Sequence, residues 1–163
     1  MHGVERLNAM PAPDAEAMLQ TCCGSRAWVR RMAESRPFQD LDDLHATSDR
    51  VWRSLGREDW LEAFAAHPRI GDRSDRGGRL SRQEQAGAAD AGEEVLAELA
   101  GGNRHYEERF GYIFIVSATG KSAEEMLAIL RERLDNDPET ELHVAAEEQR
   151  KITALRLEKL LRS

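Results

Sequence analysis

Apolar residues in this chain recur three and four positions apart in one segment after another. At Tyr112-Ile113-Phe114-Ile115-Val116 they run together instead, each residue aromatic or β-branched. The recurrent spacing is that of helices burying one face, not the two-residue alternation of a half-buried strand. The run at 112–116 fits a buried extended piece or part of a helix equally well, because periodicity does not separate the two. The class is therefore all-α: a single-domain bundle of about seven to nine helices with one irregular apolar segment.

Local signals set the boundaries. Pro13-Asp14 opens a run to Cys22, with proline in a first-turn position it tolerates. Gly24-Ser25 precedes a short helix carrying Trp28, Val29 and Met32, which ends before Pro37. Asp40 or Asp42 can cap a helix carrying Leu44, Val51 and Trp52, stopped by Gly56. Trp60, Leu61 and Phe64 share a face of the helix leading to His67. Residues 71–80 read as a loop, followed by a helix from Ser81 to about Leu99 that Gly101-Gly102 would end. Ser122 with Glu125 is a capping box opening a helix that buries Met126, Leu127, Leu130 and Leu134. Asn136 and Pro138 end it. The last helix, from about Glu139 to Leu161, puts Ala145, Gln149, Ile152 and Arg156 on one stripe, with Leu155 and Leu160 close to it.

The 163 residues suit one compact domain, 1–163, and show no internal repeat, linker or low-complexity tract. No apolar run approaches the roughly 18 residues of a bilayer span. Met1 to Ala12 lacks a secretory layout, and Leu161-Arg162-Ser163 is not a peroxisomal signal. Cytoplasm is the expected location. Cys22 and Cys23 are adjacent, so they form neither a disulfide framework with each other nor a zinc motif. A net charge of -7 argues against nucleic acid or an anionic membrane as partner. Between His67 and Arg82, however, Arg69, Arg73, Arg76, Arg79 and Arg82 face only Asp72 and Asp75. That basic stretch could admit a small anion, or simply pair with neighbouring helices.

Two residues look most like chemistry, and each also has a structural reading. His67 stands where a helix gives way to a loop, with Pro68 fixing the backbone after it. An imidazole there can move protons near neutral pH, but a helix C-terminus also favours histidine for its charge alone. Glu84 is a candidate carboxylate partner, yet Ser81-x-x-Glu84 is itself a capping box. Phe114 to Ala118 reads as core, unless irregular backbone there offers peptide groups to a flat polar heterocycle. Gln149 and Arg156 are polar on an apolar stripe, so they need partners or a pocket. His67, His105 and His143 never approach zinc spacing, no calcium loop is present, and the glycines form no dinucleotide or phosphate loop.

Taken in order, His67-Pro68-Arg69-Ile70-Gly71-Asp72, Ser81-x-x-Glu84-Gln85-Ala86-Gly87, Asn103-x-x-Tyr106-x-x-Arg109-Phe110-Gly111, Phe114-Ile115-Val116, Gly120-Lys121-Ser122, Arg133-Leu134-x-Asn136 and Ile152-x-x-Leu155-Arg156-Leu157 resemble a known family. It is the 2-oxo-4-hydroxy-4-carboxy-5-ureidoimidazoline (OHCU) decarboxylase family, and the likeness runs from about Leu19 to Leu160. The resemblance implies a cofactor-free, all-helical homodimer that decarboxylates an anionic ureidoimidazoline to (S)-allantoin, the last step from uric acid. By position His67 matches the catalytic histidine and Glu84 its partner carboxylate. Pro68, Ser81, Arg82, Gln83, Gln85 and the stretch Phe114, Ile115, Val116, Ser117 and Ala118 match substrate-contacting positions, and Arg156 an arginine of the last helix. Two other classes compete: a helical interaction module whose Trp52, Trp60 and Phe64 surface meets a partner, and an isomerase or hydrolase of a related ureide. The module requires an apolar surface patch.

Overall fold

A computed structural model of the chain describes residues 3–68 and 92–162. Among them are eight α-helices and no strand, as the periodicity predicts. The chain divides into two compact units, Met1–Ala66 with Arg150–Ser163, and His67–Gln149.

The first unit holds α1 (Gly3–Ala9), α2 (Ala12–Gln20), α3 (Arg26–Glu34), α4 (Leu41–Ser54) and α5 (Arg57–Ala65). Helix α1 has no counterpart in the sequence reading. Seven residues are too few to hold a helix unaided. Burial of Val4 and Leu7 sustains it, together with an approach of Gly3 so close that an added Cβ would run into the Leu161 backbone. Helix α2 stops at Gln20, two residues short of the expected end, because the Cys22 and Cys23 amides both turn back to the Leu19 carbonyl. Ser25 caps α3 by accepting from the Trp28 amide at 3.2 Å, and the buried Trp28 indole donates to Ser48 of α4 at 3.1 Å. Of the two candidate caps of α4, Asp40 serves, accepting from the Asp43 amide at 2.8 Å. Glu62 on α5 takes both the Arg26 amide and its guanidinium at 2.7 Å. The amide bond, more than the charge, holds this carboxyl below the usual range.

The Trp52 and Phe64 side chains lie inside this unit, and the Trp60 indole donates to the Trp52 carbonyl at 3.0 Å. The apolar patch needed by the interaction-module reading is therefore not formed by these residues. Among the described residues, Leu155, 41% exposed, is the one large exposed hydrophobic side chain. The spacing places it close to the apolar stripe of the last helix, yet its side chain is exposed.

The second unit contains α6 (Glu93–Phe110), α7 (Ala123–Arg133) and the first half of α8 (Pro138–Leu161); from Arg150 onward α8 counts with the first unit. Helix α6 corrects the expectation that Gly101-Gly102 would end a helix, since it runs through both. Glycine costs about 1 kcal/mol at such positions, but a Cβ at Gly102 would lie 2.5 Å from Leu130 Cδ2 of α7, so this glycine permits close packing. The real stop is Gly111, left-handed at φ 86°, whose amide returns to the Glu107 carbonyl at 2.8 Å. The Ser122–Glu125 capping box forms as expected. Helix α7 buries Met126, Leu127 and Leu130, but its last buried residue is Arg133, with Leu134 only half-buried. Pro138 begins α8, the first-turn place that suits its missing amide hydrogen.

Candidate active site

His67 follows α5 by two residues and is half-buried, as is Pro68. Its Nε2 lies 2.6 Å from Oε1 of Gln149, an α8 side chain with 0% exposure. An amide oxygen can only accept, so the contact suits the tautomer with its hydrogen on Nε2. A neutral ring so arranged has its lone pair on Nδ1. The polar residue on the apolar stripe of the last helix thus finds its partner in the histidine.

The run that periodicity left open is irregular backbone. Tyr112 to Thr119 is neither helix nor strand, and Phe114, Ile115, Val116, Ser117 and Ala118 are all buried. Buried peptide groups need partners, and side chains of α7 and α8 supply several. Arg133 Nη1 donates to the Ile115 carbonyl at 2.6 Å. The Ser117 amide donates to Glu148 Oε1 at 3.0 Å, and Lys121 Nζ donates to the Ser117 carbonyl at 2.7 Å. The Lys121 amide closes a turn onto the Ala118 carbonyl at 3.0 Å. These four peptide groups are engaged within the protein.

Behind the segment sits a buried charge network. Arg133 meets Glu141 at 2.5 Å, with side chains 7% and 0% exposed. The Tyr106 hydroxyl donates to the same Glu141 oxygen, and Asn136 Nδ2 donates to the other at 3.0 Å. The guanidinium also lies 4.7 Å from the Phe114 ring centre and 5.8 Å from that of Tyr106. Burial, reinforced by the neighbouring carboxylate, pushes the Tyr106 hydroxyl far above the usual phenol range, so it remains a donor. Burial is the largest influence on Arg133 and would lower it, but the hydrogen bonds and attraction of Glu141 and Tyr106 together outweigh burial, and the net direction is upward. None of these four side chains was a sequence-level site candidate, although Tyr106, Arg133 and Asn136 stand in the motifs that carried the resemblance.

Arg156 lies in the other unit, half-buried, where its charge acts on Cys22 and Cys23. Burial raises both thiols to about 11, against a smaller downward pull that includes Arg156. Ser81, Arg82, Gln83, Glu84 and Gln85, like the arginine-rich loop before them, lie outside the described residues. Among the described residues no three His, Cys, Asp or Glu side chains converge as metal ligands would.

Residues 8–158 match the model of the family described as OHCU decarboxylase. A uric acid degradation bifunctional protein of Arabidopsis thaliana is 39% identical over 147 residues, covering 86% of this chain and 45% of that protein. A 2-oxo-4-hydroxy-4-carboxy-5-ureidoimidazoline decarboxylase of Haloferax volcanii is 32% identical, covering 80% of this chain and 79% of that one. The chain spans 45%, 32% and 33% of the lengths of three bifunctional relatives it matches. A crystal structure of an OHCU decarboxylase in the presence of (S)-allantoin superposes with a TM-score of 0.77 at 40% identity, covering 86% of this chain and 94% of that one.

Proposed function

The chain belongs to the OHCU decarboxylase family, and from that premise we propose that it converts 2-oxo-4-hydroxy-4-carboxy-5-ureidoimidazoline to (S)-allantoin and carbon dioxide, the closing step from uric acid to allantoin. The carrying observation is His67, at the family's histidine position, half-buried with one ring nitrogen bound to a buried amide. The match spans residues of both compact units. That supports reading 1–163 as one domain of this family. The same reading makes the protein a cytoplasmic homodimer; light scattering of the purified chain tests its dimeric state.

The substrate carries a hydroxyl and the departing carboxylate on one ring carbon, beside a carbon–nitrogen double bond. As the bond to the carboxylate breaks, its electron pair forms a carbon–carbon double bond to the neighbouring ring carbon. The carbon–nitrogen pair moves onto the ring nitrogen, which takes a proton. The substrate is thus its own electron sink and needs no organic cofactor. The resulting enol gives up its hydroxyl proton while the adjacent carbon gains one on a single face. Neutral His67 takes the hydroxyl proton through Nδ1, and as imidazolium supports protonation of the carbon. Glu84 sets the imidazole tautomer or holds the ureido or hydroxyl group. Pro68, Ser81, Arg82, Gln83 and Gln85 line the substrate with peptide groups of Phe114 to Ala118. Positioned acid–base groups of this kind contribute roughly 10²–10⁴-fold in rate.

Uric acid oxidised and hydrolysed enzymatically, with (S)-allantoin followed by circular dichroism, tests the reading. Micromolar protein should accelerate the signal, and His67→Asn should abolish the acceleration while the helical spectrum survives. A fully active His67→Asn chain would end this mechanism.

A further inference from the structure

We propose that Gln149 is the positioning residue of His67, fixing which ring nitrogen carries the hydrogen and leaving Glu84 to hold the ureido or hydroxyl group. The inference rests on the reading of His67 as the general base. The geometry is a 2.6 Å contact between His67 Nε2 and Gln149 Oε1, at the short end for an N–H···O bond. Gln149 is wholly buried, and its amide oxygen can accept but not donate. His67 therefore gives its Nε2 hydrogen to the amide and turns Nδ1 to the proton-transfer task.

The residue type matters. A carboxylate at this position would orient the ring equally well but would also stabilise the imidazolium, occupying the base with a proton before substrate arrives. A carbamoyl oxygen orients without that charge. The next residue, Glu148, holds the Ser117 amide. The same turn of α8 thus fixes both the base and the irregular segment.

Long-range ¹H–¹⁵N correlation of the histidine rings in the full, ¹⁵N-labelled chain tests this. Wild-type His67, assigned by loss of its signals in His67→Asn, should be the Nε2–H tautomer; a dominant Nδ1–H tautomer overturns the proposal. Gln149→Glu, nearly isosteric, should make the His67 ring bind its proton at least about tenfold more tightly. Glu147 and Glu148 are common to both chains, so the comparison isolates position 149. An unchanged titration overturns the proposal. In Gln149→Leu, kcat should fall about 10- to 100-fold, as when a supporting partner is removed from other sites, with KM within about threefold; an unchanged kcat counts against it. If Gln149→Leu does not fold, Gln149→Glu decides. If the wild-type chain does not accelerate (S)-allantoin formation, the proposed function fails while the two spectroscopic measurements still judge the role of Gln149.

Discussion

Arg133 is the side chain on which the buried interior of the second unit turns. Its charge is matched by Glu141, and one of its nitrogens is spent on the Ile115 carbonyl. Removing one member of such a pair strands the other in a poorly solvating interior. Glu141→Leu should therefore cost about 3–5 kcal/mol in chemical denaturation. The double variant Arg133→Met with Glu141→Leu should lose much less than the sum of the two, because no charge is left unpaired. Glu84 is open to a similar comparison, since Glu84→Gln keeps most of a cap but loses the charge. A lower melting temperature at unchanged rate would make Glu84 a cap alone; a lower rate would make it part of the chemistry. His67 stood out by type and motif; Glu84 was read the same way but lies outside the described residues. Gln149 was legible only as an oddity on an apolar stripe, because its partner lies 82 positions away in the chain.

Caps and stops show where local rules decide helix ends and where they do not. The Ser122–Glu125 box closes over three residues and needs no distant partner, so it could be read directly. Ser122→Ala should lower stability by about 1 kcal/mol, measured by urea unfolding. Gly101-Gly102 misled because a local preference met a tertiary contact. At Gly101 an added Cβ would find only Arg104 Nη2, at 3.7 Å, whereas at Gly102 it would crowd Leu130. Gly101→Ala should therefore stabilise by up to about 1 kcal/mol, and Gly102→Ala should yield less than that or reverse the sign. Equal gains at both would show that α6 and α7 do not approach closely at this point. Helix α1 escaped notice for the same reason: its seven residues are held by what they touch, not by their own propensity.

At the scale of the whole chain, the all-α class and most helices follow from spacing alone, while the path of Tyr112 to Thr119 does not. Hydrophobicity says that the run is buried, but only the partners from α7 and α8 say that its peptide groups need no helix to be satisfied. Global stability should also carry a mark from the two adjacent thiols. Both are buried and raised from an ordinary 9.0 to about 11, so between those pH values the unfolded chain sheds protons that the folded chain keeps. Unfolding is thereby favoured as pH rises through that window. Cys22→Ala and Cys23→Ala should flatten the alkaline fall in unfolding free energy relative to wild type. An identical fall in the variants would assign it to other groups.

Glu141 and Glu148 stand seven residues apart on α8, close to two turns at 3.6 residues per turn. The first supports the Ile115 carbonyl through Arg133, and the second grips the Ser117 amide directly. The helix therefore works as a gauge laid along the irregular segment, with Gln149 marking the histidine one step beyond. Losing one residue between the two glutamates would swing them about 100° apart around the helix, so one of the two holds must fail. In descendants of this sequence, length should drift freely in loops yet stay frozen between positions 141 and 149, whatever substitutions accumulate there.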